Sequence, residues 1–278
     1  MRFIASGVET EPLCPLCGEA AGIIKYEYPD EKIIQCCACG LWRTCPCLPA
    51  EKLEEYYRAN YYSPEIERRQ RYEEWRDKHL DVWRTNAALV DYEARRRGYA
   101  QPLALLDLGC GHGFFLEECV KLGLAARGLE PNPDAAAYAR EKLRMDVRPL
   151  RLDELPADEC YDVITLWSVL EHVPDPLRTM RQVCAHLRPG GMAWVMTPNT
   201  NAWLRHLKGA AYFNFLNKTH LTHFNRRNLR GLLTQAGLRD ARRYIHWGGG
   251  GRSGLGACLQ YAARLLCAGT ELRFIAEK

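Results

Sequence analysis

The sequence predicts an α/β fold built on a mostly parallel sheet, preceded by a small cysteine-rich module. Three observations carry this. From residue 103 onward, strand-like apolar runs alternate with helical stretches, the pattern of a sheet flanked by helices. One run, Leu105–Leu108, feeds a glycine-rich turn, then a helix and a short strand that ends in an acid, Glu130. Two Cys-x-x-Cys pairs lie within residues 14–39.

A chain of 278 residues has room for one ordinary domain and a small extra module. The expected divisions are a four-cysteine module over 1–50, a helical linker or cap over 51–100, and the main domain over 101–278. A cap insertion is expected at about 199–225. The formal charge of +4 is slight and does not by itself call for nucleic acid. No run of about 18 apolar residues is present, so no membrane span is expected. The start, Met1-Arg2-Phe3-Ile4-Ala5, is too short and too soon interrupted by acids to read as a secretory signal. The expected setting is therefore cytoplasmic and reducing. There, clustered members of the 13 cysteines act as metal ligands and not as disulfides.

Cys14-Pro15-Leu16-Cys17-Gly18 and Cys36-Cys37-Ala38-Cys39-Gly40 are two knuckles that fit four thiolates around one tetrahedral zinc. The ligands are read as Cys14, Cys17, Cys36 and Cys39. Cys37 is a register alternative, and Cys45 and Cys47 are read as unligated. The stretches 23–30 and 32–35 between the knuckles read as a hairpin, giving a zinc ribbon. About forty residues bury too little surface to fold alone, and a structural zinc contributes on the order of 10 kcal/mol to such a module. Four cysteines close the coordination shell, so this metal is structural.

Ser63-Pro64 opens a helical stretch running from Glu65 to Arg97. Tyr72, Trp75, His79, Val82 and Asn86 recur at helical steps, with Trp83 and Leu89 beside them. Nine basic and eight acidic residues over this stretch nearly cancel, so its polar face is solvated and does not track phosphates. The stripe is expected to pack on the main domain and partly lid its site, with His79 a packed histidine.

In the main domain the glycine pattern is Asp107-x-Gly109-x-Gly111-x-Gly113. A dinucleotide site wants its third glycine one residue later, where Phe114 stands, and a phosphate-cradling loop would need Lys and Ser/Thr. The loop instead brings backbone against a ligand, and Glu130 stands where a ribose diol would lie. Asn132-Pro133 reads as a helix start, with a helix over Pro133–Arg144. There follow Asp153-Glu154, a strand over Tyr161–Leu166, and Glu171-His172. Next come a helix ending at Leu187–Gly191 and a strand over Met192–Thr197. The stretch Asn199–Asn225 is too long for a turn and is rich in aromatic residues and histidine. Asn225 caps a helix over Arg226–Ala236 that stops at Gly237. A glycine run, Gly248–Gly251, precedes an amphipathic helix, Gly254–Ala268, read as packing on the sheet, and a last strand, Glu271–Ala276.

Over residues 103–278 this order of motifs resembles the class I S-adenosylmethionine-dependent methyltransferases, and within them the small-molecule branch that includes the ubiquinone-biosynthesis O-methyltransferases. The resemblance implies a Rossmann-like seven-stranded sheet whose last strand is antiparallel. It implies S-adenosylmethionine as cofactor. Asp107, Gly109, Gly111 and Gly113 would pass under its methionine part. Glu130, with Pro131 beside it, would accept both ribose hydroxyls, and Leu152 and Asp153 would meet the adenine. Trp167 and Ser168 would face the cofactor, although Trp167 also reads as a core aromatic. The insertion would cover the acceptor. A hydroxyl acceptor needs a base, and the candidates are His172 and His220, with His223 third. Ubiquinone-type enzymes carry an acid three residues before Glu-His; here Ser168 stands there, so no catalytic metal is expected. The expected reaction is O-methylation of a small molecule: a sugar, a saccharide or lipid-linked precursor, or a phenol.

Three rivals remain at this point. An rRNA or tRNA methyltransferase could grip RNA with the ribbon, but Lys25 and Lys32 are nearly alone there and no Asn/Asp-Pro-Pro-aromatic motif follows Leu166. A sugar C-methyltransferase with a cysteine-rich ribbon is the second. A degenerate cofactor-binding module is the third, and intact Gly109, Gly111, Gly113 and Glu130 weigh against it. Elemental analysis of desalted protein is expected to find one zinc per chain; folded protein free of metal would contradict the four-cysteine assignment.

Overall fold

The computed structural model describes residues 3–4, 13–47, 52–53, 55–56, 66–244 and 269–278. The first part of the chain forms β1 (Phe3–Ile4), β2 (Gly22–Glu27), β3 (Lys32–Cys36), β4 (Trp42–Cys45) and the long helix α1 (Ile66–Arg96). The main domain follows with β5 (Ala104–Leu108), α2 (Phe114–Lys121), β6 (Ala125–Leu129), α3 (Pro133–Glu141), β7 (Val147–Arg148), β8 (Tyr161–Trp167) and α4 (Pro176–His186). It closes with β9 (Leu187–Pro198), α5 (Trp203–Lys208), β10 (Thr222–His223), α6 (Arg226–Gln235), β11 (Arg239–Arg243) and β12 (Glu271–Glu277).

Seven strands make one sheet in the order β11-β12-β9-β8-β5-β6-β7. The strands from β7 to β9 pair in parallel, and β12 runs antiparallel to both β9 and β11. The expected Rossmann-like, mostly parallel sheet with an antiparallel last strand is therefore found. Its central strands are buried on both faces. On one face Ala87, Val90 and Ala94 of α1 and Phe115, Leu116 and Cys119 of α2 cover Leu105 and Val163. On the other, Met180 and Val183 of α4 and Leu229, Leu232 and Leu233 of α6 cover Leu106 and Ile164. Because β6 and β8 leave β5 on opposite sides, a crevice opens at the carboxyl end of β5, where ligands of such sheets bind.

Two expected boundaries move. The helix over Pro133–Arg144 ends at Glu141, and Arg144 takes a left-handed φ of 59°. Residues Leu187–Gly191, expected to end a helix, already belong to β9. Leu187 pairs with Tyr161, but the next regular pair is Met192 with Val163. The intervening Arg188-Pro189-Gly190-Gly191 bulges out and Gly190 adopts φ +75°, a conformation that suits glycine. The Ser63-Pro64 helix start, the glycine run 248–251 and the helix over 254–268 lie outside the described residues.

A second sheet has the order β1-β2-β3-β4-β10. Four strands come from the cysteine-rich module and the fifth from the insertion, with Thr222 opposite Arg43 and His223 opposite Trp42. Thr44 N–H donates to the Leu221 carbonyl at 3.0 Å, and Tyr28 Oη–H donates to the Ala210 carbonyl at 2.6 Å. A small core of Ile33, Trp42, Ala202, Tyr212 and Phe215 fills the space between module and insertion. Several insertion aromatics thus serve packing: Tyr212, Phe215 and Phe224 are buried, whereas Trp203 and Phe213 are about half exposed at 52% and 51%. Among the described residues no helix is long and apolar enough to cross a membrane.

Phe215, 1% exposed, stacks on Trp42 with ring centres 5.6 Å apart and meets Tyr26, Tyr212 and His223. Phe215→Ala is expected to cost about 3–5 kcal/mol in a denaturant titration. Leu207→Ala, at a side chain 74% exposed, is expected to leave the midpoint nearly unchanged. Equal costs would contradict this packing.

Candidate active site

The turn after β5 carries the residues expected on the cofactor side. Gly109, Gly111 and Gly113 take φ of 67°, 54° and 81°, the left-handed region in which a side chain is strained. A Cβ on Gly109 would come within 2.8 Å of Val169, whereas one on Gly111 would meet nothing within 4 Å. The loop is thus clamped beneath and clear above, which fits a ligand lying on its backbone. Glu130 shapes it: its carboxylate accepts Gly111 N–H at 2.8 Å and Asn132 N–H at 2.9 Å. Glu130 is buried, and burial raises its pKa while the two amides pull it back. Each oxygen keeps a further lone-pair direction, so the residues present fit a ribose diol. Asp107 accepts the Thr165 hydroxyl at 2.6 Å, and burial pushes its carboxyl up to about 8. Asn132 caps α3 by accepting from Asp134 and Ala135 N–H at 3.0 Å each, and Pro131, beside Glu130, is exposed.

The other cofactor-side candidates divide. Leu152 is buried, but Asp153 is exposed and lies 3.8 Å from Arg151 and 3.6 Å from Arg178. Trp167 packs edge-on to Phe115 at 5.2 Å within the core that includes Trp194 and Met196. Ser168 is exposed with φ +57°, a strained conformation for a residue with a side chain. Sequence reasoning missed an aromatic cover over the loop: Tyr72 of α1 lies 4.0 Å from the His112 ring, which meets Tyr138 edge-on at 5.1 Å. Arg76 holds the same part of α1 down by forking onto Glu117 with two contacts of 2.8 Å. The signal available was Tyr72's place on the helical stripe.

Glu171, His172 and His220 converge, with one ligand atom of each within 4.8 Å of the others. The two histidine rings meet edge-on at 4.7 Å. His172 Nδ1 donates to the Thr219 carbonyl at 2.9 Å and His220 Nδ1 to the Asn214 carbonyl at 3.0 Å. A carbonyl can only accept, so each neutral ring carries its proton on Nδ1 and its lone pair on Nε2. Glu171 Oε2 accepts the Thr197 hydroxyl at 3.0 Å, whereas its buried Oε1 has no hydrogen-bond partner. Burial pushes Glu171 up to about 8 and the His172 and His220 rings down to about 3 and 4. With two nitrogens and one carboxylate the trio could also hold a transition-metal ion, a donor set that suits magnesium poorly. His223 is placed differently. Thr44 Oγ1 donates to the His220 carbonyl at 2.6 Å, which leaves its oxygen to accept from His223 Nε2–H at 3.0 Å. Nothing in the sequence marked Thr44.

The four module thiols gather at one place. Cys14, Cys17, Cys36 and Cys39 sulfurs lie within 4.8 Å of one another, with Cys14–Cys39 and Cys17–Cys36 both at 3.5 Å. A zinc tetrathiolate with bonds of about 2.3 Å separates its sulfurs by about 3.8 Å, so the four fit that ion. Cys14, Leu16, Cys36 and Leu41 pack into the same core as Phe224 and Leu229, which ties the knuckles to the main domain.

A family model described as a methyltransferase domain matches residues 67–242. The ubiquinone biosynthesis O-methyltransferase of Serratia proteamaculans is 34% identical over 139 residues, 46% of this chain and 57% of that protein. Its counterpart in Cronobacter sakazakii is 35% identical over 139 residues, with the same coverage. The chain thus spans a little over half the length of these curated relatives. Among solved structures, the plantazolicin methyltransferase BpumL in complex with SAH superposes with a TM-score of 0.56 at 16% identity, covering 82% of this chain and 98% of that one. A SAM-dependent methyltransferase from Thermotoga maritima, described as a possible histamine N-methyltransferase, gives 0.51 at 20% identity, covering 75% and 95%. At these identities the likeness is one of fold.

Because burial lowers His172 and His220 far below the usual 6.5, both rings are uncharged at neutral pH. Their unfolded forms bind protons first, so their contribution to stability is present above about 6.5 and is lost as pH falls toward about 4. Ring NMR titration of metal-free protein is expected to show both neutral at pH 5.5. Midpoints near 6.5 would contradict the buried geometry.

Proposed function

This chain belongs to the class I S-adenosylmethionine-dependent methyltransferase family, matched over residues 67–242, and on that premise we propose that it O-methylates a small molecule in the cytoplasm. The acceptor would be a sugar, a saccharide or lipid-linked precursor, or a phenol. The observation that carries this reading is the meeting of two sites at the ends of β5 and β8. Gly109 of the glycine loop abuts Val169, three residues before His172, which supports reading the loop and the Glu171–His172–His220 cluster as neighbours.

S-adenosylmethionine, when bound, supplies an electrophilic methyl group on a sulfonium. The chain's own part is to align, to exclude water and to take a proton. Glu130 would hold the ribose hydroxyls, the Gly109–Gly113 backbone and Asp107 the methionine part, and Leu152, with Asp153 beside it, the adenine. Pro131, Trp167 and Ser168 would complete that wall. His172 and His220 each direct an Nε2 lone pair held in register by a backbone carbonyl at Nδ1. Either Nε2 would accept the acceptor's hydroxyl proton as the oxygen attacks. Glu171 Oε1 lies 3.8 Å from His172 Nε2 and would help to position that ring. The β10 segment and the small core around Phe215 would wall the acceptor from solvent. A structural zinc on Cys14, Cys17, Cys36 and Cys39 would hold the ribbon that carries this wall.

Calorimetric titration of S-adenosylhomocysteine into zinc-replete protein tests the reading. Micromolar binding is expected, weakened about a hundredfold in Glu130→Ala, since two charge-assisted contacts would be lost. Wild-type protein that is folded but binds no S-adenosylhomocysteine would overturn it.

A further inference from the structure

Two cations from distant parts of the chain converge on one indole. Lys25 Nζ, from β2, lies 5.4 Å from the Trp42 ring centre, and the Arg205 guanidinium carbon, from α5, lies 5.2 Å from it. Neighbouring lysines have acids: Lys32 pairs with Glu27 at 3.8 Å and Lys218 with Asp30 at 3.2 Å. Among the described residues, Lys25 and Arg205 pair with none. Arg205 Nε is buried with no hydrogen-bond partner, and its Nη2 reaches only the ring of His206, at 2.8 Å. Nor does the sequence around Arg205 offer a counter-charge, because residues 176–239 hold ten Lys and Arg and no Asp or Glu. Two cations near one ring and without an acid leave net positive charge there, which an anion would offset.

The position bears on the acceptor. Trp42 stacks on Phe215 at 5.6 Å, Phe215 meets His223 at 5.1 Å, His223 lies 6.3 Å from His220, and His220 meets His172 at 4.7 Å. A continuous wall of rings therefore links the cation pair to the Glu171–His172–His220 cluster. The pair comes together only because ribbon and cap share one sheet.

We propose that Lys25, Arg205 and Trp42 form a subsite for a phosphate or pyrophosphate group carried by the acceptor, remote from the hydroxyl that is methylated. This rests on the small-molecule acceptor reading and narrows it to phosphorylated substrates. A guanidinium forks onto two phosphate oxygens while an ammonium acts as a point charge.

The test is titration of inorganic pyrophosphate and of farnesyl pyrophosphate into full-length, zinc-replete protein, read by calorimetry and tryptophan fluorescence. Wild type is compared with Lys25→Gln/Arg205→Gln and with the charge-preserving Lys25→Arg. Saturable binding is expected, weakened about tenfold in the double variant and kept in Lys25→Arg, with S-adenosylhomocysteine affinity unchanged in all three. Equal affinity for the two probes supports a soluble phosphorylated acceptor, and a preference for the prenyl compound supports a lipid-linked one. Unchanged affinity in the double variant, or saturable binding of neither probe, overturns the subsite. Protein that binds pyrophosphate but no S-adenosylhomocysteine would sink the methyltransferase reading and leave the subsite standing.

Discussion

The pairing of β4 with β10 is the contact on which the segment carrying His220 and His223 depends. It is short: two residues, Thr222 and His223, lie against Arg43 and Trp42. Yet through Thr44 it reaches the His220 carbonyl and the His223 ring, and through Trp42 it seats Phe215. On its far side, Leu221 and Thr222 N–H both donate to the Glu171 carbonyl, at 2.8 and 3.2 Å. The segment that carries His220 is thus gripped between ribbon and main domain. A ribbon of about forty residues has too little core to hold such a grip alone. The four gathered thiols and their packing against Phe224 and Leu229 give it a second source of rigidity. A cluster of thiols far from the candidate bases in sequence is in this way joined to the segment that carries His220.

The crevice itself is organised by burial working on different groups in different directions. Glu130 is buried but is met by two backbone amides, which favour its ionised form. Asp107 and Glu171 are buried with one hydroxyl partner each and are driven toward the protonated form. Histidines respond the opposite way, because burial disfavours their charged state, and His112, His172, His220 and His223 are all pushed to about 3 or 4. One environment therefore raises the carboxyl groups, Glu130 against the pull of its two amides, and keeps the histidine rings uncharged where a proton would be taken.

Much of this is legible in the sequence where the pattern is local. The strand–glycine loop–helix–Glu130 run needs only neighbouring residues to form, and Asn132-Pro133 caps α3 as the sequence implies. The long periodic stretch folds as α1, Ile66–Arg96, and the residues between the knuckles form the β2–β3 hairpin. What is illegible depends on distant partners. Thr222–His223 has no strand pattern of its own and becomes a strand because β4 offers an unpaired edge. Thr44 has no feature that separates it from other threonines until His220 and His223 arrive. The insertion's aromatics read in the sequence as part of a cover over the acceptor, but Tyr212 and Phe215 are consumed in packing the ribbon. Arg188–Gly191 read locally as a helix end, because their bulge is set by the register with β8, which no local window contains.

Hydrogen exchange of zinc-loaded protein before and after chelation tests most directly whether a metal on the four thiols would hold the segment of His220 in place. Thr44 N–H donates to Leu221 and the Leu221 and Thr222 amides to Glu171, so these three report both sides of the grip. All three are expected to lose protection on chelation, while Leu106 and Ile164, in the buried central strands, keep theirs. Leu221 and Thr222 amides that stay protected after Thr44 has exchanged would contradict that coupling.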